Sequence, residues 1–378
     1  MKKRAELIVN LSVLKKNYSL LEELCPRKKM IVMIKANAYG HGDAEVYSTL
    51  KECHSLDSFG VASIEEALSL RQRTKCFKKP LVVFSDLFLK ENGYAKDYAQ
   101  NKIIPVLADF PALEFFLSSS DCSGIPLFLK INTGMNRLGF SFHDVKKLIK
   151  VLKNHGVSTI DHIMTHLSDA SSTNVSGSKS RQQTNLFTEI KSLLLDNGIS
   201  IIDSSISNSS GILQGLVDDE THVRPGLVLY GPCSENLKLK WKGEMVSSLR
   251  THVINSFNVK KGDEIGYGSS KCDRNGRAYV LGVGYGDGLG TCFSGKTIPL
   301  PKGDATVVGR VNMDMTLIMF EKELDKFKSS EFVELWGSDQ AVFSKFASSG
   351  GVLSYELLCG LSERVNRLYQ KCSRENIS

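Results

Sequence analysis

A lysine at the end of an apolar run is the residue of this chain best placed for covalent chemistry. Met30, Ile31, Val32, Met33 and Ile34 lead into Lys35, and Ala36-Asn37-Ala38-Tyr39-Gly40-His41-Gly42 follow as small and turn-forming residues. The pattern predicts a buried strand that delivers one cationic side chain to the mouth of a loop. Partial desolvation there would favour the neutral amine. A neutral amine can attack an aldehyde to form a Schiff base, or act as a base. Tyr39, four residues on, is close enough to share the site. For a lone lysine the simpler reading is a side chain snorkelling out of a strand end, so the weight falls on what the rest of the chain gathers around it.

Further polar groups stand where other apolar runs end. Lys130 and Arg137 flank Asn132-Thr133-Gly134-Met135-Asn136; His166 follows Met164-Thr165; Asn208 and Ser209 follow another run; Arg224-Pro225-Gly226 precedes Leu227 and Tyr230. Ser209, the backbone amides of Gly226 and Leu227, and Tyr39 have the makings of a phosphate cradle. A lysine beside such a cradle suggests pyridoxal phosphate.

The elements that must position these groups alternate regularly. Strands are predicted at 30–34, 59–62, 81–84, 103–107, 127–131, 160–165, 202–207 and 223–230. Helical spacing runs through 12–24, 44–53, 64–72, 142–154 and 181–195. Asp109 caps a further helix with Pro111 in its first turn, and Gly198 suits a helix stop. Eight strand–helix units in about 200 residues predict a (β/α)8 TIM barrel, whose reactive groups gather at the strands' C-terminal ends. A doubly wound sheet is disfavoured because no G-x-G-x-x-G follows the first strand. Past Pro232 the rhythm changes. Strands at 247–257, 278–283, 305–311, 316–319 and 332–335 with intervening Gly-Asp and Asn-Gly turns predict a mostly β domain, closed by a helix over 354–369. The expected division is residues 8–232 and 233–378, with residues 1–7 pairing onto the second part.

Bulk composition narrows the function classes. A chain of 378 residues is long for one core, and 42% hydrophobic with 24% charged residues argues against disorder. The net charge of +7 is dispersed, so no nucleic-acid track is expected. Nine cysteines without a C-x-x-C pair or a zinc-like spacing read as free thiols in a reducing compartment, with no metal expected. No run approaches the roughly 18 apolar residues of a membrane span, which points to a cytoplasmic protein without a membrane partner.

The motifs Val32–Gly42, Lys130 with Thr133-Gly134-Met135-Asn136-Arg137-Leu138-Gly139, Arg224-Pro225-Gly226, Gly266-Tyr267-Gly268, Gly284-Tyr285-Gly286-Asp287-Gly288, Val308–Asp314 and Ser354-Tyr355-Glu356 together resemble the alanine racemase family, barrel-type pyridoxal phosphate enzymes, nearly end to end. The resemblance implies interconversion of L- and D-alanine by two bases, with D-alanine supplied to peptidoglycan. Lys35 would carry the cofactor as a Schiff base and serve as one base. Tyr267 would be the second, reaching in from the partner of a homodimer. Tyr39, Ser209, Tyr355, Gly226 and Leu227 would hold the phosphate; Arg224 would face the pyridine nitrogen; His166 and Asn208 would line the ring. Arg137 and the Met313 backbone would bind the substrate carboxylate, and Tyr285 would narrow the entrance. Two bases on opposite faces suit a reaction that removes a proton from one side and returns it on the other.

The chain also departs from that pattern. Asn132 replaces a usual Asp, Ser205 a usual His, and Asn312 a small residue. Gly290-Thr291-Cys292 lack an arginine common there. Lys130 is carbamylated in some relatives, and the sequence leaves its state here open. A broader amino-acid racemase, acting on serine for instance, or a non-catalytic pyridoxal phosphate carrier are the alternatives. The β-rich part with Tyr267, Met313 and Tyr355 argues against the carrier, and Arg224 argues against a decarboxylase, which places an acid at that position.

Overall fold

The computed structural model describes residues 3–85, 89–91, 94–170, 178–216, 220–231, 241–320, 327 and 331–371. Eight parallel strands close into a barrel: Lys29–Met33, Leu56–Val61, Leu81–Val83, Ile103–Leu107, Phe128–Lys130, Thr159–Met164, Ser200–Ser205 and His222–Val223. The fold is the expected TIM barrel with a mostly β second part. Helices between the strands begin on sequence-encoded caps. Asn10 accepts from Ser12 N and Val13 N, and Asp109 accepts from Ala112 N with Pro111 in the first turn.

The alternation of side chains along the strands divides barrel wall from lumen. Met30, Val32, Phe59, Leu81, Val83, Leu129 and Ile163 join the large core beneath the helices. Ile31, Val82, Ile104, Val106, Phe128 and Met164, on the other face, form a small cluster of their own inside the barrel. The last strands turn polar residues inward instead: His162 lies beside Asp203, and Ser205 beside His222, in register. The lumen is therefore apolar on one side and hydrogen-bonding on the other.

Among the described residues, Glu264–Ile265 and Ser270–Lys271 pair apart from the rest, and eight further strands form a sheet around Ser247–Val259, a 13-residue strand. That strand pairs antiparallel with Ala5–Asn10, Gly276–Leu281 and Phe332–Trp336. Three predicted elements are corrected. The strand expected over 223–230 stops at Val223, because Pro225 has no N–H to donate, and the chain turns into a 3-10 helix at Leu227–Tyr230. The closing helix ends at Cys359 before Gly360; Asn366–Gln370 is a strand parallel to Ala5–Asn10. A helix at Gln340–Ser349, capped by Asp339, stands where only strands were expected. Among the described residues no helix is long and apolar enough to cross a membrane.

Candidate active site

Lys35 opens a left-handed turn. Ala36, Asn37, Ala38 and Tyr39 have φ of 51–54°, a conformation that costs roughly 1–2 kcal/mol per L-residue. The surroundings over-determine it. Ala38 N donates to Ile34 O at 2.8 Å and Gly42 N to Asn37 O at 2.9 Å. The Glu66 carboxylate accepts from Ala36 N at 2.9 Å and Ala62 N at 2.7 Å, tying the turn to the end of the second barrel strand. Gly40 has φ +81°, and a Cβ there would lie 2.2 Å from Leu358 O. That close approach docks helix Ser354–Cys359 on the turn and sets the Tyr355 ring 6.0 Å from Tyr39. Strain concentrated at a turn so heavily braced marks a functional position.

The turn opens on a cavity of about 270 Å³ at the C-terminal end of the barrel. Lys35, Tyr39, Arg137, His166, Asn208, Ser209, Arg224, Gly226, Leu227 and Tyr355 all line it, as do Lys130, Met33, Ala62, Phe84 and Ser85. Four of these side chains are cations and none is a carboxylate, so the cavity suits an anion. Ser209 Oγ accepts from Gly226 N at 3.0 Å and Val228 N at 3.3 Å. Its own proton is thus available to an incoming oxygen. A Cβ on Gly226 would sit 2.6 Å from the Tyr39 hydroxyl, so this side of the cradle is bare backbone by necessity. Lys35 itself is exposed in the single chain, contrary to the expected partial burial.

Crowded cations and burial shape the electrostatics. Burial, then Arg224, Arg137 and Lys35, bring the Lys130 ammonium down to about 8. Burial, then Arg224, Lys130, Arg137 and Lys35, bring His166 down to about 3, so it is neutral. Arg224, held down to about 10 by burial, stays charged. Burial raises Tyr39 and Tyr355, keeping both phenols protonated donors. Asn132, in place of an acid, accepts from Gly134 N and Asn136 N at 3.1 and 3.0 Å and so shapes the loop ahead of Arg137.

Tyr267, Tyr285 and Met313 do not join this cavity. They line a separate hollow with Arg310, Asn312 and Asp314. Tyr267 is 71% exposed on a turn between Gly266 (φ 64°) and Gly268 (φ 81°). Tyr285 N donates to Asn312 O and Gly286 N to Met313 O, both at 2.9 Å, so those two loops are tied together. Arg364 braces them through Asp287 at 3.0 Å and through Asp314. Large apolar and aromatic groups exposed together are a mark of an interface.

Three supporting side chains escaped the sequence reading. Glu66 braces the Lys35 turn. Gln183 donates to His166 O at 3.1 Å and Thr133 Oγ1 at 3.2 Å, joining two loops of the rim. His162 meets Ser205, at 2.8 Å, beneath Arg224. Helix or strand periodicity alone could flag only the last, since His162, Ser205 and Arg224 all fall on lumen positions.

Residues 9–234 match the family model for the alanine racemase N-terminal domain, and 246–369 that for the C-terminal domain. An alanine racemase of Legionella pneumophila (strain Paris) is 33% identical over 375 residues, covering 97% of this chain and 99% of that protein. The alanine racemase structure from Acinetobacter baumannii superposes with a TM-score of 0.81 at 28% identity, covering 98% of this chain and 100% of the other. The alanine racemase of Bartonella henselae, solved with covalently bound pyridoxal phosphate, shares the fold at a TM-score of 0.84 and 24% identity, with 98% and 100% covered.

Proposed function

The chain belongs to the alanine racemase family, and on that premise we propose that it interconverts L- and D-alanine with pyridoxal phosphate held on Lys35, in a homodimer whose two chains complete each site. One observation carries the reading: Lys35 projects from a braced turn into a cavity with four cations, no carboxylate and a bare-backbone cradle at Gly226. That donor set fits a phosphorylated aldehyde. When bound, pyridoxal phosphate supplies a carbonyl that joins the substrate amine and a ring that draws electrons from Cα. Tyr39, Ser209, Tyr355 and the backbone of Gly226 and Leu227 would hold its phosphate, Asn208 and His166 would flank the ring, and Arg224 would donate to the ring nitrogen.

The chain's own residues then divide the proton work. The Lys35 amine exchanges the Cα proton on one face. The Tyr267 phenol, too exposed to serve its own cavity, would reach the opposite face of a second copy's site. Arg137 binds the substrate carboxylate as a charged hydrogen-bond donor, joined across the interface by the Met313 N–H. Tyr285 beside Met313 narrows the way in, and the closing interface covers the exposed Lys35. Tyr355 lines the cavity wall and would restrict the substrate side chain, which favours alanine. D-Alanine made this way would feed peptidoglycan in the cytoplasm.

The test is incubation of the pyridoxal phosphate-loaded protein with L-alanine in D2O. D-Alanine carrying deuterium at Cα is the expected product, read by chiral chromatography with mass spectrometry. L-Alanine recovered unchanged and unlabelled overturns the reading.

A further inference from the structure

Arg224 has only donors to offer, and its anchors lie on the polar side of the barrel lumen. Its guanidinium donates to Thr165 O, to Ile206 O at 3.1 Å, and to Ser205 Oγ. Among the described residues it forms no ion pair with a carboxylate. Ser205 Oγ lies 2.8 Å from His162 Nε2. Ser205 Oγ accepts from the arginine and keeps one proton of its own, and His162 Nε2, at 2.8 Å, is positioned to take it as the neutral Nδ1–H tautomer. His162 is fully buried, one layer below the cavity, and lines none of it. Phe128 stacks on its ring at 4.8 Å and His222 meets it edge-on at 4.9 Å, so the ring's plane is set from both sides. Burial, then His222 and Arg224, push its pKa well below the usual 6.5, which keeps the ring neutral at neutral pH and leaves it one acceptor nitrogen.

We propose that His162 is a positioning residue for the cofactor ring, acting as the last acceptor of an Arg224–Ser205–His162 relay that fixes how the guanidinium is presented to the cavity. The inference rests on the reading of that cavity as a pyridoxal phosphate site. The physical reason is the Ser205 hydroxyl. With an acceptor below it, its lone pairs face the arginine. Without one, a buried O–H has nowhere to donate, and any rotation turns it against the guanidinium N–H. The imidazole that the family resemblance places at position 205 is thus supplied here from the neighbouring strand, through a serine.

The experiment uses apoprotein titrated with pyridoxal phosphate, reading the dissociation constant and the position of the visible absorption band. His162→Phe keeps a ring in the stack but removes the acceptor; Ser205→Ala removes the link; His162→Gln returns an acceptor near Nε2. His162→Phe and Ser205→Ala should each weaken binding about tenfold and displace the band alike, because the second removes a hydrogen bond to the guanidinium and the first removes the acceptor that orients the hydroxyl making it. The double variant should be no weaker than either single one, and His162→Gln should stay within about twofold of the parent. Parent-like affinity and spectrum for His162→Phe, multiplying losses in the double variant, or no rescue by glutamine overturns the proposal. If the phenylalanine variant does not fold, His162→Leu, which also removes the acceptor, is read against His162→Gln in the same way: parent-like affinity and spectrum for the leucine variant overturns the proposal. A parent protein that gives no visible band with pyridoxal phosphate overturns the reading of the cavity instead.

Discussion

Lys130 shows how a single residue carries the cost of an anion site. Its ammonium is buried among Arg224, Arg137 and Lys35, and its pKa falls from 10.5 to about 8. Between those values the unfolded chain holds a proton that the folded chain releases, so stability rises with pH across that window. Below pH 8 the full penalty applies, about 3 kcal/mol from the size of the shift. Lys130→Met should therefore raise the urea midpoint of the apoprotein at pH 7 and remove the gain between pH 8 and 10. An unchanged or lowered midpoint at pH 7 would mean the cations are compensated. At Tyr267 the expected effect is kinetic: Tyr267→Phe should leave pyridoxal phosphate bound, yet slow Cα proton exchange from one alanine enantiomer roughly a hundredfold or more. Equal exchange from both enantiomers at the parent rate would remove Tyr267 from the reaction. Residue types and their position at strand ends made this half of the site readable, since a lysine, an arginine or a histidine after an apolar run points to the rim of a barrel. The expected burial of Lys35 was not met in the single chain; the proposed dimer would supply the cover, and an apolar run before a lysine carries no sign of that.

Elements show where local rules end and tertiary contacts begin. The turn after Lys35 reads as a loop from its small residues, but only the structure shows four successive L-residues at positive φ. No local propensity produces that; Glu66 and the Ser354–Cys359 helix hold it from outside. Gly40→Ala meets both a positive φ and Leu358 O, and should cost about 2 kcal/mol or more in folding stability. It should also loosen pyridoxal phosphate binding. A denaturant midpoint within error of the parent would show that the helix can withdraw freely. The barrel strands were legible as short apolar runs because both of their faces are buried, and the helices because burial on one face imposes a period. The closing segment was not: Val365 to Tyr369 suits a helix or a strand equally, and pairing with Ala5–Asn10, more than 350 residues away in sequence, decides for the strand.

At the scale of the whole molecule, buried neutral histidines bind the parts together. His41 carries its Nδ1 3.0 Å from Ala38 O and its Nε2 2.9 Å from Ser247 Oγ, and so joins the Lys35 turn to the long strand of the second part. Burial lowers its pKa from 6.5 to about 4. The unfolded chain takes up a proton in that window and the folded chain does not, so stability is lost as pH falls from 6.5 to 4, by about 3 kcal/mol for this group alone. His41→Gln should flatten the fall of the urea midpoint across that range. A slope identical to the parent's would place acid sensitivity elsewhere.

Assembly gives a second test at this scale. If each site takes Lys35 from one chain and Tyr267 from the other, mixing inactive Lys35→Ala and Tyr267→Ala proteins should restore about one quarter of the parent activity. That fraction follows because half the reassorted dimers then hold one intact site. No recovery after proven exchange of subunits would place both residues in the same chain's site.

The covalent role of Lys35 is tested most directly by borohydride reduction of the pyridoxal phosphate-loaded protein, followed by proteolysis and mass spectrometry. The expected result is a pyridoxyl phosphate adduct on Lys35, in the peptide that contains Ala36-Asn37-Ala38-Tyr39. An adduct confined to another lysine, or no adduct on a protein that has bound the cofactor, would contradict it.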